Sequence, residues 1–155
     1  MKNMYSRKLS IPFQEALTRL IMNLNYHGFG IVSTINVKKI VSDRLNIKFR
    51  DYTILGACIP EFAYRAISLE SHIGLMMPCS LVVQRHENEE VEITAINPME
   101  ALDEGLDTPA LNEIAGQVSA RLRAAMDDLH RALPEAACID AIPQSCCGAA
   151  PIPVV

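Results

Sequence analysis

Residues 75–96 read LMMPCSLVVQRHENEEVEITAI, and this stretch decides the predicted fold. The nearly uninterrupted apolar run Leu75–Gln84 predicts a strand that is buried on both faces. The charged residues Arg85–Glu90 predict a hairpin turn, and the alternating run Val91–Ile96 predicts the strand that follows it. Two strands joined by so short a turn pair antiparallel. The sequence therefore predicts an antiparallel hairpin in the second half of the chain.

Upstream of this hairpin, strands and helices are predicted to alternate. Strands are expected at Tyr5–Leu9, Phe29–Ile35 and Lys48–Ala57, where β-branched and small residues concentrate. Between the first two strands lies a helix whose apolar residues follow 3.6-residue spacing: Phe13, Ala16, Leu17, Leu20, Ile21 and Leu24.

Two further helices complete the upstream half. Asn36 is suited to cap a helix whose apolar face is formed by Val37, Ile40, Val41 and Leu45. Pro60 is suited to begin a helix that runs to about Leu69. Its inward face is predicted to hold Phe62, Ala63, Ala66 and Ile67.

Downstream of the hairpin, Asn97-Pro98-Met99-Glu100 combines a capping residue, a helix-starting proline and a capping-box glutamate. This predicts a short helix that ends near Gly105. Thr108-Pro109 begins the longest helix, whose apolar stripe is Leu111, Ile114, Ala115, Val118, Leu122, Ala125, Leu129 and Leu133. The resulting order β-α-β-α-β-α-β-β-α-α predicts an α+β fold, with an antiparallel-rich sheet and helices packed mainly on one face.

Pro134 is predicted to close a single α+β domain, residues 1–134. Residues 135–155 are rich in Ala, Pro and Cys and show no usable periodicity, so they are predicted to form a C-terminal tail. The tail carries Cys138, Cys146 and Cys147. Adjacent cysteines can chelate a soft metal, but a mobile tail with no assigned role is the favoured interpretation.

The composition and the first residues of the chain predict where the protein is located and whether it has a partner. Half of the 155 residues are apolar and mean hydropathy is +0.15, which favours apolar surface that is buried against a second copy, a homodimer. The longest apolar run, residues 74–83, is too short for the ~20 residues of a membrane helix. Residues 1–8 lack the apolar core of a secretory signal, so a cytoplasmic protein without a membrane partner is predicted.

Charge and motifs disfavour several function classes. Residues 1–50 carry nine Lys and Arg against two acidic residues, and residues 51–155 carry five against sixteen. Because the whole chain is acidic, with net charge −4, and aromatic residues make up only 5%, nucleic-acid binding is disfavoured. Gly28-Phe29-Gly30 precedes a strand, whereas a dinucleotide fingerprint follows one. A nucleotide-dependent enzyme is therefore disfavoured.

Cys58 and Cys79 are the candidate site residues. Cys58 directly precedes a predicted helix start, where unpaired N–H groups and the helix dipole lower a thiol pKa. Cys79 follows Pro78, which is predicted to mark a bulge or an edge because proline cannot donate to a sheet. Two cysteines at irregular backbone predict a ligand, metal or sulfur site. The alternative is that both are inert core residues, since free cysteine is often buried.

Several short motifs carry a family resemblance. The chain resembles the family catalogued as domain of unknown function 302 over about residues 5–133, through Gly56-Ala57-Cys58-Ile59-Pro60, Ala63-Tyr64-Arg65-Ala66, Ile73-Gly74-Leu75-Met76-Met77-Pro78-Cys79 and Ala95-Ile96-Asn97-Pro98. The resemblance implies a compact α+β fold similar to the TATA-binding-protein-like class, generally dimeric, with no settled activity. Both cysteines match positions characteristic of that family.

One position departs from the family pattern. Ile59 stands where the family usually has Asn, and isoleucine cannot accept a hydrogen bond from the exposed N–H groups of the helix. The loss should cost about 0.5–2 kcal/mol unless another group substitutes. The departure weakens the transfer of any family site that uses the asparagine.

Three other residues are weaker candidates. His72 lies between the two cysteines in sequence and would complete a three-ligand site for zinc or copper with Cys58 and Cys79, although this is not a recognised zinc spacing. Tyr64 and Arg65 would orient an anionic ligand. For all three, an exposed surface position is the alternative.

Three hypotheses for the function follow. The first is a non-catalytic binding module for a small molecule, a metal or sulfane sulfur that uses Cys58 and Cys79. The second is a thiol enzyme or persulfide carrier, which requires a lowered Cys58 pKa. The third is a structural or regulatory homodimer with inert core cysteines. The sequence names no cofactor or ligand.

Overall fold

The computed structural model describes residues 4–102 and 108–131, and of Ala101 the backbone alone. Five strands and five α-helices lie in the described part of the chain. The strands are β1 Met4–Leu9, β2 Gly30–Asn36, β3 Tyr52–Cys58, β4 Cys79–Arg85 and β5 Val91–Ile96. The helices are α1 Phe13–Tyr26, α2 Val37–Leu45, α3 Pro60–Leu69, α4 Pro98–Ala101 and α5 Pro109–Asp127, with short 3-10 helices at Ser71–Met76 and Asp128–His130.

The strands form one antiparallel sheet in the order β1-β5-β4-β3-β2. The predicted hairpin is confirmed, since β4 and β5 are neighbours and Arg85 pairs with Val91 across the turn. β4 is the central strand, between β5 and β3. The α+β fold class with an antiparallel sheet is therefore confirmed.

The core lies on one face of this sheet. Buried residues alternate with more exposed ones along the central strands, as in Leu55 and Ala57 of β3 and Leu81 and Val83 of β4. α1 and α5 pack against this face, and α3 packs against α5. Burying each such large apolar side chain stabilises the fold by about 1.5–3 kcal/mol. The helical stripes predicted for α1 and α5 supply much of the rest: Ala16, Leu20, Leu24, Leu111, Ile114, Leu122, Ala125 and Leu129 are buried.

The prediction that the Leu75–Gln84 strand is buried on both faces was wrong. Residues 71–76 form a 3-10 helix, whose first turn is capped by the Glu70 side chain, and the strand begins only at Cys79. On the face opposite the core, Ser80 is exposed and Val82 is half-buried. Gly56 is the one residue of β3, β4 and β5 that is buried on that face. The apolar run that contains Pro78 thus comprises the end of a 3-10 helix and a strand that is buried on one face only.

Of the two alternatives predicted for Pro78, a bulge or an edge that interrupts pairing, the structure shows no bulge, and pairing stops beside Cys79. Pro78 precedes β4, and pairing begins at the next residue, where Cys79 lies opposite Ala57. The irregularity in the sheet lies instead in β2, between Ile31 and Ser33.

α2 has the predicted cap, but its apolar face is largely exposed. The Asn36 side chain accepts a hydrogen bond from the Lys39 backbone N–H, which confirms the helix start. No residue of α2 is buried, and Ile40 and Leu45 are 50% and 63% exposed. The apolar face predicted for this helix is therefore not buried in the core, and only Val37 and Val41 are half-buried. In α3, Ile67 is likewise 49% exposed, while Phe62 and Ala66 are buried as predicted.

The described part of the chain contains no helix that is both long and apolar enough to cross a membrane. The predicted start of the longest helix at Thr108-Pro109 is confirmed, and the Thr108 side chain caps α5. The predicted end near Gly105, Leu133, the domain boundary at Pro134 and the tail with its three cysteines lie outside the described residues.

Candidate functional site

A pocket opens at one end of the sheet, where the end of β3 and the start of β4 meet α3, the first 3-10 helix and α5. Its empty space, counted together with the part that is open to solvent, is about 660 Å³. Among the described residues, its wall carries no charged side chain and no nitrogen or oxygen side-chain group. The lining residues are Ala57, Cys58, Ile59, Phe62, Ala63, Ala66, Ile73, Met76, Met77, Pro78, Cys79, Ile96, Pro98, Leu102, Leu111, Ile114, Ala115 and Val118.

Both predicted cysteines line this pocket. Cys58 is the last residue of β3 and Cys79 is the first residue of β4, and the pairing of Ala57 with Cys79 places them at the same end of the sheet. Both are half-buried free thiols. Antiparallel pairing thus brings together two residues that are twenty-one positions apart in sequence.

The lowered thiol pKa predicted for Cys58 was wrong. Burial in the pocket wall raises the pKa of the Cys58 thiol, because an apolar environment disfavours the charged thiolate. Burial likewise raises the pKa of Cys79 to about 11, and the neighbouring Cys58 adds to this shift when it is charged. Both thiols are therefore protonated at neutral pH.

Gly56 allows the two cysteine-bearing segments to approach each other. A Cβ atom at Gly56 would lie 2.3 Å from Ser33 Oγ and 2.6 Å from Pro78 Cγ, both far inside van der Waals contact. The Pro78 ring, which follows a cis peptide bond, therefore packs directly on the Gly56 backbone. This contact seats residues 77–79 beside the end of β3. The sequence motif contained this glycine, but nothing in its spacing indicated the contact.

The α3 N-terminus has the unusual cap that the sequence predicts. Ile59 occupies the N-cap position and makes no side-chain cap hydrogen bond. Its side chain is buried and lines the pocket instead. Ile59 thus contributes to the apolar pocket wall and does not form a polar cap.

A hydrogen-bonded chain of three side chains holds α4 against α5 beside the pocket. Ser119 Oγ lies 2.8 Å from Tyr5 Oη and donates to Asn97 Oδ1 at 3.0 Å, and Asn97 Oδ1 also accepts from the Met99 backbone N–H. Sequence reasoning used Asn97 as a cap and in a family motif, and it selected neither Tyr5 nor Ser119 as a site residue. Ser119 could have been noticed, because it is a polar residue at core-facing spacing between Ala115 and Leu122.

His72 is not brought together with the two cysteines. It is on the first 3-10 helix with its side chain 81% exposed, and its Nδ1 lies 2.9 Å from Glu70 Oε1. Within residues 4–102 and 108–131, no group of three or more His, Cys, Asp or Glu side chains could hold a metal ion. The predicted three-ligand site with His72 therefore finds no support in the described part of the chain.

Tyr64 and Arg65 lie outside the pocket wall. Tyr64 is 75% exposed on the outer side of α3. The Arg65 guanidinium lies 5.9 Å from the centre of the Phe62 ring, over its face. Neither side chain lines the pocket, so the ligand-binding role predicted for this pair has no geometric support.

Met76 and Met77 are pocket residues that sequence reasoning did not select. Both line the pocket, and Met77 packs against the buried core while Met76 is 37% exposed. The signal was present in the run Met76-Met77-Pro78-Cys79, which places thioethers next to a candidate thiol.

Comparisons with known proteins cover the same region. A model of the family described as domain of unknown function DUF302 matches residues 5–129. The crystal structure of the uncharacterized conserved protein DUF302 from Bacillus stearothermophilus is similar to this chain, with a TM-score of 0.73 and 29% identity over 82% of this chain and 98% of that chain. No curated protein matches the chain. Neither similarity names a ligand or an activity.

Proposed function

Since the chain belongs to the DUF302 family, as its motifs predict, we propose a function from its own pocket: a non-catalytic binding module for a small, uncharged and largely apolar molecule. Cys58 and Cys79 contribute to the wall that contacts this ligand. The observation that supports the proposal is the chemical uniformity of the wall, whose described side chains are hydrocarbon apart from sulfur.

The wall favours an uncharged occupant on energetic grounds. Each CH₂ group that moves from water into such a wall gains about 0.8 kcal/mol. An amide or hydroxyl group buried there without a hydrogen-bond partner costs about 1–3 kcal/mol, and an ionised group costs far more. A small apolar molecule, or compact sulfane sulfur, satisfies this wall, whereas a sugar, a nucleotide or a carboxylate does not.

The thiol chemistry favours binding over catalysis. A thiol enzyme or persulfide carrier attacks through the thiolate. Burial holds the pKa of both pocket thiols above the ordinary value, so the nucleophilic form is scarce at neutral pH. The proposed role of Cys58 and Cys79 is therefore that of soft, polarizable wall residues.

A neutral fluorescent probe, Nile red, tests the pocket. The full chain, reduced and free of metal, is expected to bind about one equivalent, and Ala63→Leu is expected to weaken binding because Ala63 lines the pocket. Ala120→Leu is the matched control, since Ala120 is exposed on α5 and lies outside the pocket wall. The proposal fails if the two variants bind the probe equally well, or if the unsubstituted chain does not bind it.

A second candidate function, homodimerisation, is favoured by a separate observation. Five large apolar side chains are at least 42% exposed along β2, α2 and the residues that follow, which we call the β2–α2 segment, residues 32–47: Val32, Ile35, Ile40, Leu45 and Ile47. A second copy of this chain would cover them. This agrees with the high mean hydropathy of the sequence.

Charge substitution tests the dimer. Light scattering coupled to size-exclusion chromatography is expected to give a dimer mass for the full chain and a monomer mass for Ile40→Lys with Leu45→Lys. Leu75→Lys serves as the control, because Leu75 is 86% exposed but lies on the first 3-10 helix, outside the β2–α2 segment. A monomer mass for the unsubstituted chain would exclude this interface.

A further inference from the structure

Sulfur-bearing side chains are concentrated at the pocket. The described part of the chain contains six methionines and two cysteines, and four of these eight residues line the pocket: Cys58, Met76, Met77 and Cys79. Every other described wall residue has a pure hydrocarbon side chain. Sulfur is more polarizable than hydrocarbon, so these four residues supply the side-chain contacts by which this wall can distinguish one apolar molecule from another.

The wall offers these sulfur groups a single aromatic ring. Thioether sulfur makes favourable contacts with aromatic rings, with the sulfur about 5 Å from the ring and often at its edge. Of the described wall residues, Phe62 alone is aromatic. Its ring already carries the guanidinium groups of Arg121 and Arg65, which lie 5.0 Å and 5.9 Å from its centre. A ring supplied by a ligand would therefore provide contacts that the wall itself largely lacks.

The Cys79 thiol is a second group that distinguishes a ring from an alkane. Cys79 lies opposite the fully buried Ala57 in the register, so its side chain shares the core face of the sheet, on which the pocket opens. Its thiol is protonated at neutral pH and carries a weak S–H donor. The face of an aromatic ring is negative and accepts such a donor, whereas a saturated hydrocarbon has no acceptor.

We propose, building on the proposed binding function of this pocket, that its ligand is a neutral aromatic molecule whose ring contacts the Met77 thioether and the Cys79 thiol. Met77 is chosen over Met76 because it packs against the core, whereas Met76 is more exposed on the first 3-10 helix. A saturated molecule of the same size would be buried equally well but would lack both contacts. Burial thus provides affinity, and the sulfur groups select the ring.

Benzene and cyclohexane, which have the same number of carbon atoms, test this selectivity. The full chain is labelled with ¹³C at its methionine methyl groups and titrated with each compound, and the methyl signals give two dissociation constants. Because cyclohexane leaves water more readily than benzene does, the measured quantity is the ratio of the two constants and its change in a variant. Benzene is also expected to shift the Met77 methyl signal through its ring current.

Substitution of one methionine at a time isolates the sulfur contact. Met77→Leu conserves volume and is expected to lower the preference for benzene about threefold, within the range for the loss of one sulfur–aromatic contact. Met22→Leu is the matched control, because Met22 is a half-buried residue of α1 that does not line the pocket, and its ratio is expected to stay unchanged. Cys79→Ala is expected to lower the preference as well. The proposal is overturned if Met77→Leu has the same ratio as Met22→Leu.

The titrations also separate this proposal from the proposed function. Binding of both compounds with a ratio that no substitution changes keeps the pocket as a site for apolar molecules and removes the aromatic assignment. If the chain binds neither compound and does not bind Nile red, the proposed function fails together with this assignment. The methyl spectrum of each variant shows in the same experiment whether the fold is retained.

Discussion

The pocket end of the sheet and the β2–α2 segment have similarly apolar sequences and opposite environments. At the pocket end, Leu55 and Ala57 of β3 are fully buried beneath the helices. In the β2–α2 segment, Ile40 and Leu45 stand half or more exposed, although they follow the helical spacing of an inward face. The difference shows that an apolar pattern identifies which face of a helix or strand is able to be buried. Whether that face is buried within the chain depends on whether another element packs against it.

The same truncation in both regions gives the largest predicted contrast. Leu55→Ala removes a fully buried side chain and is expected to lower the free energy of unfolding by about 2–5 kcal/mol. Leu45→Ala, at a side chain that is 63% exposed, is expected to change the free energy of unfolding of the monomer by no more than about 0.5 kcal/mol. Urea denaturation of both variants at low protein concentration measures this contrast. Equal losses would mean that the β2–α2 segment is covered within the chain.

The next prediction concerns the close approach at Gly56. Gly56→Ala places a Cβ atom against Ser33 Oγ, which can rotate away, and against the rigid Pro78 ring, which cannot. We expect a loss of about 1–3 kcal/mol in the free energy of unfolding, the range for overpacking. Gly74→Ala is the control, because a Cβ atom there has no neighbour within 4 Å. The packing argument fails if both variants have the same unfolding midpoint in urea.

These contacts explain how far sequence reasoning could go. The β4–β5 hairpin, the Asn36 and Asn97 caps and the stripe of α5 were all predictable, because they depend on residues near one another in sequence. The pairing of the two cysteine segments was not, since it depends on strand order and on the contact of Pro78 with Gly56. The cysteine pKa was predicted in the wrong direction because the effect of a helix terminus is local, whereas burial is set by the whole pocket.

Burial at the pocket end also predicts slow thiol chemistry. With a Cys79 pKa of about 11, against about 8.5 for a free thiol, the thiolate is scarce at pH 7. A more basic thiolate is also more nucleophilic, which offsets part of the loss in thiolate. The net expectation is that alkylation by iodoacetamide is about 10- to 30-fold slower than in the urea-unfolded chain. Site-resolved mass spectrometry of alkylated peptides measures this rate.

The same raised pKa of Cys79 predicts that the free energy of unfolding depends on pH. Between about pH 8.5 and pH 11 the unfolded chain loses the Cys79 proton while the folded chain keeps it, so the free energy of unfolding falls as pH rises through this window. Cys79→Ala is expected to reduce this decline. A Cys79 that is alkylated equally fast in folded and unfolded chain would contradict the burial of its thiol.

The smallest predicted contrast compares polar contacts in the two regions. Ser119→Ala removes the link between Tyr5 and Asn97 beside the pocket and is expected to cost about 1 kcal/mol, because both partners are half-buried and lose this hydrogen bond. Asp43→Asn removes the ion pair of Asp43 with Lys39 on α2, which is exposed to solvent. Exposed pairs one helical turn apart contribute about 0.3–0.5 kcal/mol, so this variant should lie near the limit of detection.

Thermal unfolding at two salt concentrations separates these polar contacts further. The Asp43→Asn effect is expected to vanish at high salt, because screening weakens exposed charge pairs. The Ser119→Ala effect is expected to persist, since it comes from uncharged hydrogen bonds between buried or half-buried groups. If instead the Ser119→Ala variant unfolds at the temperature of the unsubstituted chain, the Tyr5–Ser119–Asn97 contacts do not hold α4 in place.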